Sequence, residues 1–252
     1  MKRKLVVGNW KMNPDTTDEA KRIIKDARKV SAQLSKVDVV VCPPFPFMNL
    51  VLSAKSTSPL LLGAQNISIE ERGSFTGEVS AAMVRDMDAK YVIVGHSERR
   101  AAGETDEIVA KKAQQVIDAG MNAVVCVGEK IHDNQGAYLD PLRDQIKASL
   151  ALISKKYTKH IVVAYEPIWA IGAKEAMDPG IVQEMTIFIR KVLADMYGQD
   201  ESTQVRVLYG GSVNFRNAGE IISKGAVDGL LVGRESVNPI GFSELLKVVD
   251  AL

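Results

Sequence analysis

Eight short, almost unbroken apolar runs recur along this chain, at residues 5–8, 37–42, 60–64, 91–94, 123–127, 160–165, 205–209 and 229–232. They are rich in Val, Ile and Leu and show little alternation with polar residues. A strand with one wet face would alternate; a continuous apolar run marks a strand covered on both faces, and hence a parallel sheet. Each run is followed by a segment with helical character. The clearest comes after the sixth run, where Ile181, Val182, Met185, Phe188, Ile189, Val192, Leu193 and Met196 form one stripe at helical spacing. Asp178 is placed to cap that helix, Pro179 suits its first turn, and Gly198 ends it. After the fourth run, a helix starts from Thr105, carries Asp106 and Glu107 in its first turn, and stops at Gly120. Eight strand–helix units in 252 residues predict a single-domain α/β protein, a closed (β/α)8 barrel occupying residues 1–252. An open doubly wound sheet fits less well, because the first strand leads into Gly8-Asn9-Trp10-Lys11 and not into a glycine-rich dinucleotide fingerprint. No Pro/Gly/Ser-rich linker divides the chain.

Composition narrows the classes of function. The hydrophobic fraction of 46% and charged fraction of 25% are those of an ordinary globular protein. A formal net charge of +1 gives no reason to expect nucleic acid or a membrane surface as partner. No apolar stretch approaches the ~20 residues of a membrane span. Met1-Lys2-Arg3-Lys4 runs straight into the first strand, without the longer apolar core of a secretory signal. Cys42 and Cys126 lie within apolar runs and read as buried free thiols in a reducing compartment, so the expected location is cytoplasmic.

Barrel enzymes carry their chemistry on the loops that follow the strands. Read in that order, the first strand ends at Asn9 and Lys11, the fourth at His96 and the sixth at Glu166. The seventh gives Gly210-Gly211-Ser212 and the eighth Gly233-Arg234. Glu166 stands where a rigid sheet can aim a carboxylate, and Pro167 restricts the backbone beside it. The apolar residues after Pro167 continue neither strand nor helix. That combination points to a catalytic base with a lid, against the plainer reading of a solvent-facing Glu. His96 is the one histidine of three at a strand's end; His132, in a polar loop, and His160, opening a strand, read as structural or surface groups. The glycine turns after the last two strands match the usual phosphate site of a barrel, where backbone N–H groups hold an anion. Arg99 and Arg100, amid Glu98, Glu104 and Asp106, read as a structural ion-pair cluster.

Taken together, these residues resemble the triosephosphate isomerase family. The resemblance runs in order through Gly8-Asn9-Trp10-Lys11-Met12-Asn13, Gly73-Ser74-Phe75-Thr76-Gly77-Glu78 and Tyr91-Val92-Ile93-Val94-Gly95-His96-Ser97-Glu98-Arg99-Arg100. It continues with Gly103-Glu104-Thr105-Asp106-Glu107, Cys126-Val127-Gly128-Glu129, Ala164 to Gly172, and Tyr209-Gly210-Gly211-Ser212-Val213. It implies the TIM-barrel fold and a step of glycolysis and gluconeogenesis. That step interconverts dihydroxyacetone phosphate and glyceraldehyde 3-phosphate through an enediol(ate), with no metal and no organic cofactor. By resemblance, Glu166 is the base, and His96, as a neutral imidazole, polarises the oxygens and shuttles protons between them. Lys11 offsets negative charge and Asn9 donates a hydrogen bond, both acting as electrostatic stabilisers already in place. Gly172, Ser212, Gly233 and Arg234 hold the phosphate through their N–H groups. Pro167, Ile168, Trp169, Ala170, Ile171, Gly172, Ala173, Lys174, Glu175, Ala176 and Met177 form the lid, which excludes water. Tyr209 supports the closed lid and Glu98 pairs with Lys11. The family also forms homodimers or larger oligomers, and the long loop at 65–78 would bring Thr76 near the partner subunit's active site.

Three departures from the family qualify these expectations. The far half of the lid reads Ala173-Lys174-Glu175-Ala176-Met177 in place of Thr-Gly-Lys-Thr-Ala, which predicts altered lid opening with the chemistry intact. Ala101-Ala102 replaces a segment that usually carries an aromatic, which predicts a weaker or repacked dimer contact. Arg234 stands where a second Gly is common; its N–H donates equally well wherever φ is negative, leaving the guanidinium to point outward. Two rival readings are a Schiff-base aldolase using Lys11 and a catalytically silent binding barrel. Glu166 with its lid opposes the first; Asn9, Lys11, His96 and Glu166 together oppose the second.

Overall fold

The computed structural model describes residues 2–52, 58–133, 135–170 and 177–252. Eight parallel strands follow one another around a closed ring in chain order. They are β1 (Lys4–Asn9), β2 (Val37–Cys42), β3 (Leu61–Ala64), β4 (Tyr91–Val94), β5 (Asn122–Val127), β6 (Ile161–Tyr165), β7 (Arg206–Tyr209) and β8 (Gly229–Val232). Pairing of β8 with β1, from Leu5 opposite Gly229 to Gly8 opposite Val232, closes the ring. The expected (β/α)8 barrel is the fold, and each apolar run is a strand to within one residue at either end. One consequence of that residue is that His160 ends a 3-10 helix, Lys155–His160, instead of opening β6. There its Nδ1 lies 3.2 Å from Asn122 Oδ1 at the start of β5.

The strands are apolar throughout because successive side chains enter two different cores. Leu5, Val7, Val40, Ile93, Val124, Val162, Leu208 and Leu231 fill the inside of the barrel together with Cys42 and Cys126. Their neighbours Val6, Val39, Val41, Val92, Val125 and Val163 point outward and pack on the helices. An interior packed this way is a solid core, which leaves the strand ends and loops as the place for a site. Both cysteines are free and buried, and burial raises both thiols, so neither is a ready nucleophile.

The helices obey the signals in their sequence. Asp106–Asp118 is capped by Thr105, whose hydroxyl accepts from Ile108 N–H, and the chain leaves through Gly120 at φ 78°. Pro179–Tyr197 starts with Asp178 Oδ1 accepting from Gly180 N–H at 2.8 Å and stops at Gly198, φ 89°. Both glycines sit in the left-handed region that residues with a Cβ avoid. No helix among the described residues is long and apolar enough to cross a membrane.

Candidate active site

Glu166 immediately follows β6, and its backbone N–H donates to Val127 O at 2.8 Å, extending the sheet by one bond. It is 3% exposed. Two glycines make the space it occupies: a Cβ on Gly128 would lie 1.8 Å from Glu166 O, and one on Gly210 would lie 2.9 Å from Glu166 Cγ. The carboxylate reaches across the barrel rim to the end of β4. There Oε2 accepts from Ser97 N–H at 3.0 Å, and Oε1 lies 3.0 Å from His96 Nε2.

The His96 ring is oriented by its own backbone turn. Its Nδ1 accepts from Glu98 N–H at 3.2 Å, which caps the short helix Ser97–Ala101. A backbone N–H can only donate, so Nδ1 must carry a lone pair and the proton of the neutral ring sits on Nε2. That proton faces Glu166. Lys11 adopts a left-handed backbone, φ 56°, and its Nζ donates to Glu98 Oε1 at 2.6 Å. Asn9, the last residue of β1, is buried, and its Oδ1 accepts from Lys11 N–H at 3.0 Å.

These groups meet at one opening. A cavity of about 580 Å³ is lined by Asn9, Lys11, His96, Glu166, Ser212, Gly233 and Arg234, among others. One end presents a carboxylate and an imidazole; the other presents the glycine-rich turns after β7 and β8 with a lysine beside them. A volume of this size suits a small metabolite, and the residue types suit proton transfer on an anionic one.

Comparison with known proteins agrees with this geometry. The family model described as triosephosphate isomerase matches residues 4–249. Proteins named triosephosphate isomerase from Carboxydothermus hydrogenoformans and Endomicrobium trichonymphae are 40% and 41% identical to this chain over 249 residues, covering 98% of it and 99% of each relative. One from Chloroflexus aurantiacus is 39% identical over 248 residues, with the same coverage. The chain belongs to the triosephosphate isomerase family.

Other residues expected to serve a triosephosphate isomerase site lie partly around this cavity and partly away from it. Glu98 joins the site through Lys11, and its Oε2 lies 3.7 Å from His96 Nδ1. Tyr209 is buried behind the cavity; its hydroxyl accepts from Met177 N–H at 3.4 Å, and burial raises it to about 12. Pro167, Ile168, Trp169 and Ala170 are described and form a 3-10 turn over Ile168–Ala170. Ser212 Oγ donates to Ala170 O at 3.4 Å. The remaining lid positions Ile171, Gly172, Ala173, Lys174, Glu175 and Ala176 lie outside the described residues. Arg234 is exposed and is not among the non-glycine residues at positive φ, which are Lys11, Asp88 and Ala226 among the described residues. Thr76 sits in an exposed loop, and Ala101 and Ala102 are exposed as well. Arg99 and Arg100 are committed to Glu104 at 2.7 Å and Asp106 at 2.5 Å, the structural cluster expected of them.

Two features escaped sequence reasoning. Glu129 is buried, and its Oε1 gathers Tyr165 OH at 2.8 Å, Trp169 Nε1 at 2.8 Å and His132 Nδ1 at 3.1 Å, while Oε2 is buried without a partner among the described residues. His132 also stacks on Tyr138, ring centroids 4.0 Å apart. The second is Gly128, whose missing side chain makes room for Glu166. The segment Cys126-Val127-Gly128-Glu129 carries both, but apart from His132 their partners are distant in sequence.

Proposed function

We propose that this barrel interconverts dihydroxyacetone phosphate and D-glyceraldehyde 3-phosphate, with Glu166 as the base that moves a proton between adjacent carbons. The observation that carries this reading is the carboxylate–imidazole pair, Glu166 Oε1 to His96 Nε2 at 3.0 Å, at the wall of a cavity with a glycine-lined anion end. Glu166 takes the proton from the hydroxymethyl carbon. The electron pair moves to the carbonyl oxygen, giving an enediolate, and His96 Nε2–H donates to that oxygen. The imidazole regains its proton from the neighbouring hydroxyl, and Glu166 returns its proton to the second carbon. No atom is gained or lost.

Each supporting residue lowers the energy of the enediolate in place. The Lys11 ammonium balances charge on enediolate and phosphate, and the Asn9 amide donates to the substrate oxygens. Engagement of Lys11 Nζ by the Glu98 carboxylate at 2.6 Å supports a charge-balancing role over that of a Schiff-base nucleophile. Backbone N–H groups of Gly172, Ser212, Gly233 and Arg234 hold the phosphate. The lid at 167–177 closes over the substrate, strengthening these interactions by excluding water and keeping the enediolate from shedding phosphate. Substrate must first draw Glu166 away from Ser97 N–H and His96, because both carboxylate oxygens are occupied there.

The protein works as a cytoplasmic homodimer, with Thr76 inserted beside the partner subunit's active site. Support comes from exposed apolar side chains on the loops after β1 and β3 and on the helix that follows: Met12, Phe75 and Met83. The test of the reaction is a coupled isomerase assay of the wild type beside Glu166→Asp. Retracting the carboxylate by ~1 Å is expected to lower kcat about a hundredfold; an unchanged rate removes Glu166 as the base.

A further inference from the structure

Lys11 is held in a backbone conformation that residues with a Cβ disfavour, and the reason it stays there lies partly outside the residues assigned so far. Its φ of 56° places it in the left-handed region. Such a conformation persists where the surroundings over-determine it, and it gathers at functional sites. The peptide unit before Lys11 is tied by Asn9, whose Oδ1 accepts the Lys11 N–H at 3.0 Å. The peptide unit after it is tied by Gln65, the residue that immediately follows β3. Gln65 Nε2 donates to Lys11 O at 2.7 Å and to Cys42 O at 2.8 Å. Both partners are carbonyls, so the group facing them must be the NH2 end of the amide. Cys42 is the last residue of β2, is paired with Asn9, and accepts from Trp10 N–H at 3.2 Å. One amide therefore fastens the turn after β1 to the rigid end of β2.

We propose that Gln65 is a positioning residue for Lys11: it clamps the lysine's left-handed backbone and so fixes where the ammonium stands in the cavity. The proposal rests on the assignment of Lys11 as the cation of the site. The direction of the Cα–Cβ bond follows from the backbone around it. With the carbonyl released, Lys11 relaxes toward negative φ, and Nζ leaves its place 2.6 Å from Glu98 and beside Gly233. Gln65 also begins the loop that carries Thr76, so the same clamp joins that loop to the catalytic rim.

The test is a double-mutant cycle of wild type, Gln65→Met, Lys11→Ala and the double variant, with Gln65→Ala as a second version of the first change. Methionine keeps the length of the side chain and removes both N–H donors. Two quantities are read on every protein: kcat/KM for isomerisation and, by calorimetry, affinity for inorganic phosphate. A group acting only through another loses its effect when that other is absent. Gln65→Met is expected to lower kcat/KM about tenfold or more in the wild-type background, and by less than about twofold in the Lys11→Ala background. Phosphate affinity follows the same pattern. Equal losses in both backgrounds, or none in the wild-type background, overturn the clamp. So does loss of the fold in both Gln65 variants while Lys11→Ala stays folded, since Gln65 would then support the barrel itself. If the wild type does not isomerise triose phosphates, the functional reading fails, and phosphate affinity alone decides the clamp.

Discussion

Glu104 takes its hydrogen bonds from cations: Lys112 Nζ at 2.6 Å and Arg99 Nε at 2.7 Å both donate to its Oε1. Glu166, just as hidden from solvent, takes its bonds from a backbone N–H and an imidazole. Burial alone pushes the Glu104 carboxyl up, but the hydrogen bonds and charges of Lys112 and Arg99 outweigh it and hold the group below its ordinary value. Its charge is spent on cohesion between the helix Asp106–Asp118 and the turn before it. Among the described residues, Glu166 has no lysine or arginine ion-pair partner, and it faces a cavity. A carboxylate held by a backbone N–H and an imidazole, with no lysine or arginine beside it, has the setting the proposed base requires. What separates the structural acid from the proposed base here is the partner, since the burial is alike.

The sharpest way to break this comparison is to neutralise each carboxylate in turn. Glu166→Gln keeps the shape and removes the base; kcat in the coupled assay is expected to fall about a thousandfold, within the range a positioned base contributes. Glu104→Gln is expected to leave kcat per folded molecule unchanged. If both substitutions cost similar rates, the partner argument is wrong.

Stability should show the reverse ranking. Glu104→Gln leaves the Lys112 ammonium, itself 5% exposed, without a carboxylate partner among the described residues, with Asn66 Oδ1 and the new amide oxygen as neutral acceptors. Breaking a buried pair from one side is expected to cost about 3 kcal/mol, and for a chain of this size that lowers the melting temperature by roughly 6–12 °C. The effect also carries a pH signature. Because the folded Glu104 carboxyl lies below its ordinary value of 4.5, its contribution is complete above that value and is lost as the pH falls through the folded value. Melting curves of wild type and Glu104→Gln should therefore converge as pH drops from 7 toward 3. A gap that stays constant over that range excludes the charged pair as the source of the difference.

The fold was legible because each strand is covered on both faces. A run such as Ile161–Tyr165, entirely buried, has no choice but to be apolar throughout, and the helical stripe after it belongs to a different period. Asn9, Lys11, His96 and Glu166 stand out as candidates for a related reason: each is a polar residue where an apolar run stops, and the fold brings all four to one cavity. Gln65 also stops a run, yet its function depends on carbonyls of Lys11 and Cys42 that only the closed barrel brings near. Gly128 looks like any turn glycine until Glu166, from the neighbouring strand, is seen to fill its place. His132 read as a structural or surface group in a polar loop, and it is in fact packed on Tyr138 beside Glu129. The contacts of Gln65 and Gly128 join residues far apart in sequence and leave no local periodicity to read, while those of His132 are local but follow neither strand nor helix spacing.

Glu129 gives the comparison a third member, because it is buried like the other two and is served by Tyr165, Trp169 and His132 instead of lysine or arginine. Its bond to Trp169, 2.8 Å from Nε1 to Oε1, ties the first part of the proposed lid to the end of β5. If closure of the proposed lid gives up the indole N–H bond to Oε1, that loss opposes the binding of phosphate. Trp169→Phe keeps an aromatic ring and deletes the N–H. Since the side chain is partly exposed, the bond is worth about 1 kcal/mol, and its removal is expected to tighten inorganic phosphate binding roughly fivefold. The effect is smaller than the others because Tyr165 and His132 continue to hold Glu129. Calorimetry reads it directly: tighter binding places the tether on the open side of the lid equilibrium, whereas unchanged or weaker binding means that Trp169 keeps its partner when phosphate arrives, and that Glu129 is structural like Glu104.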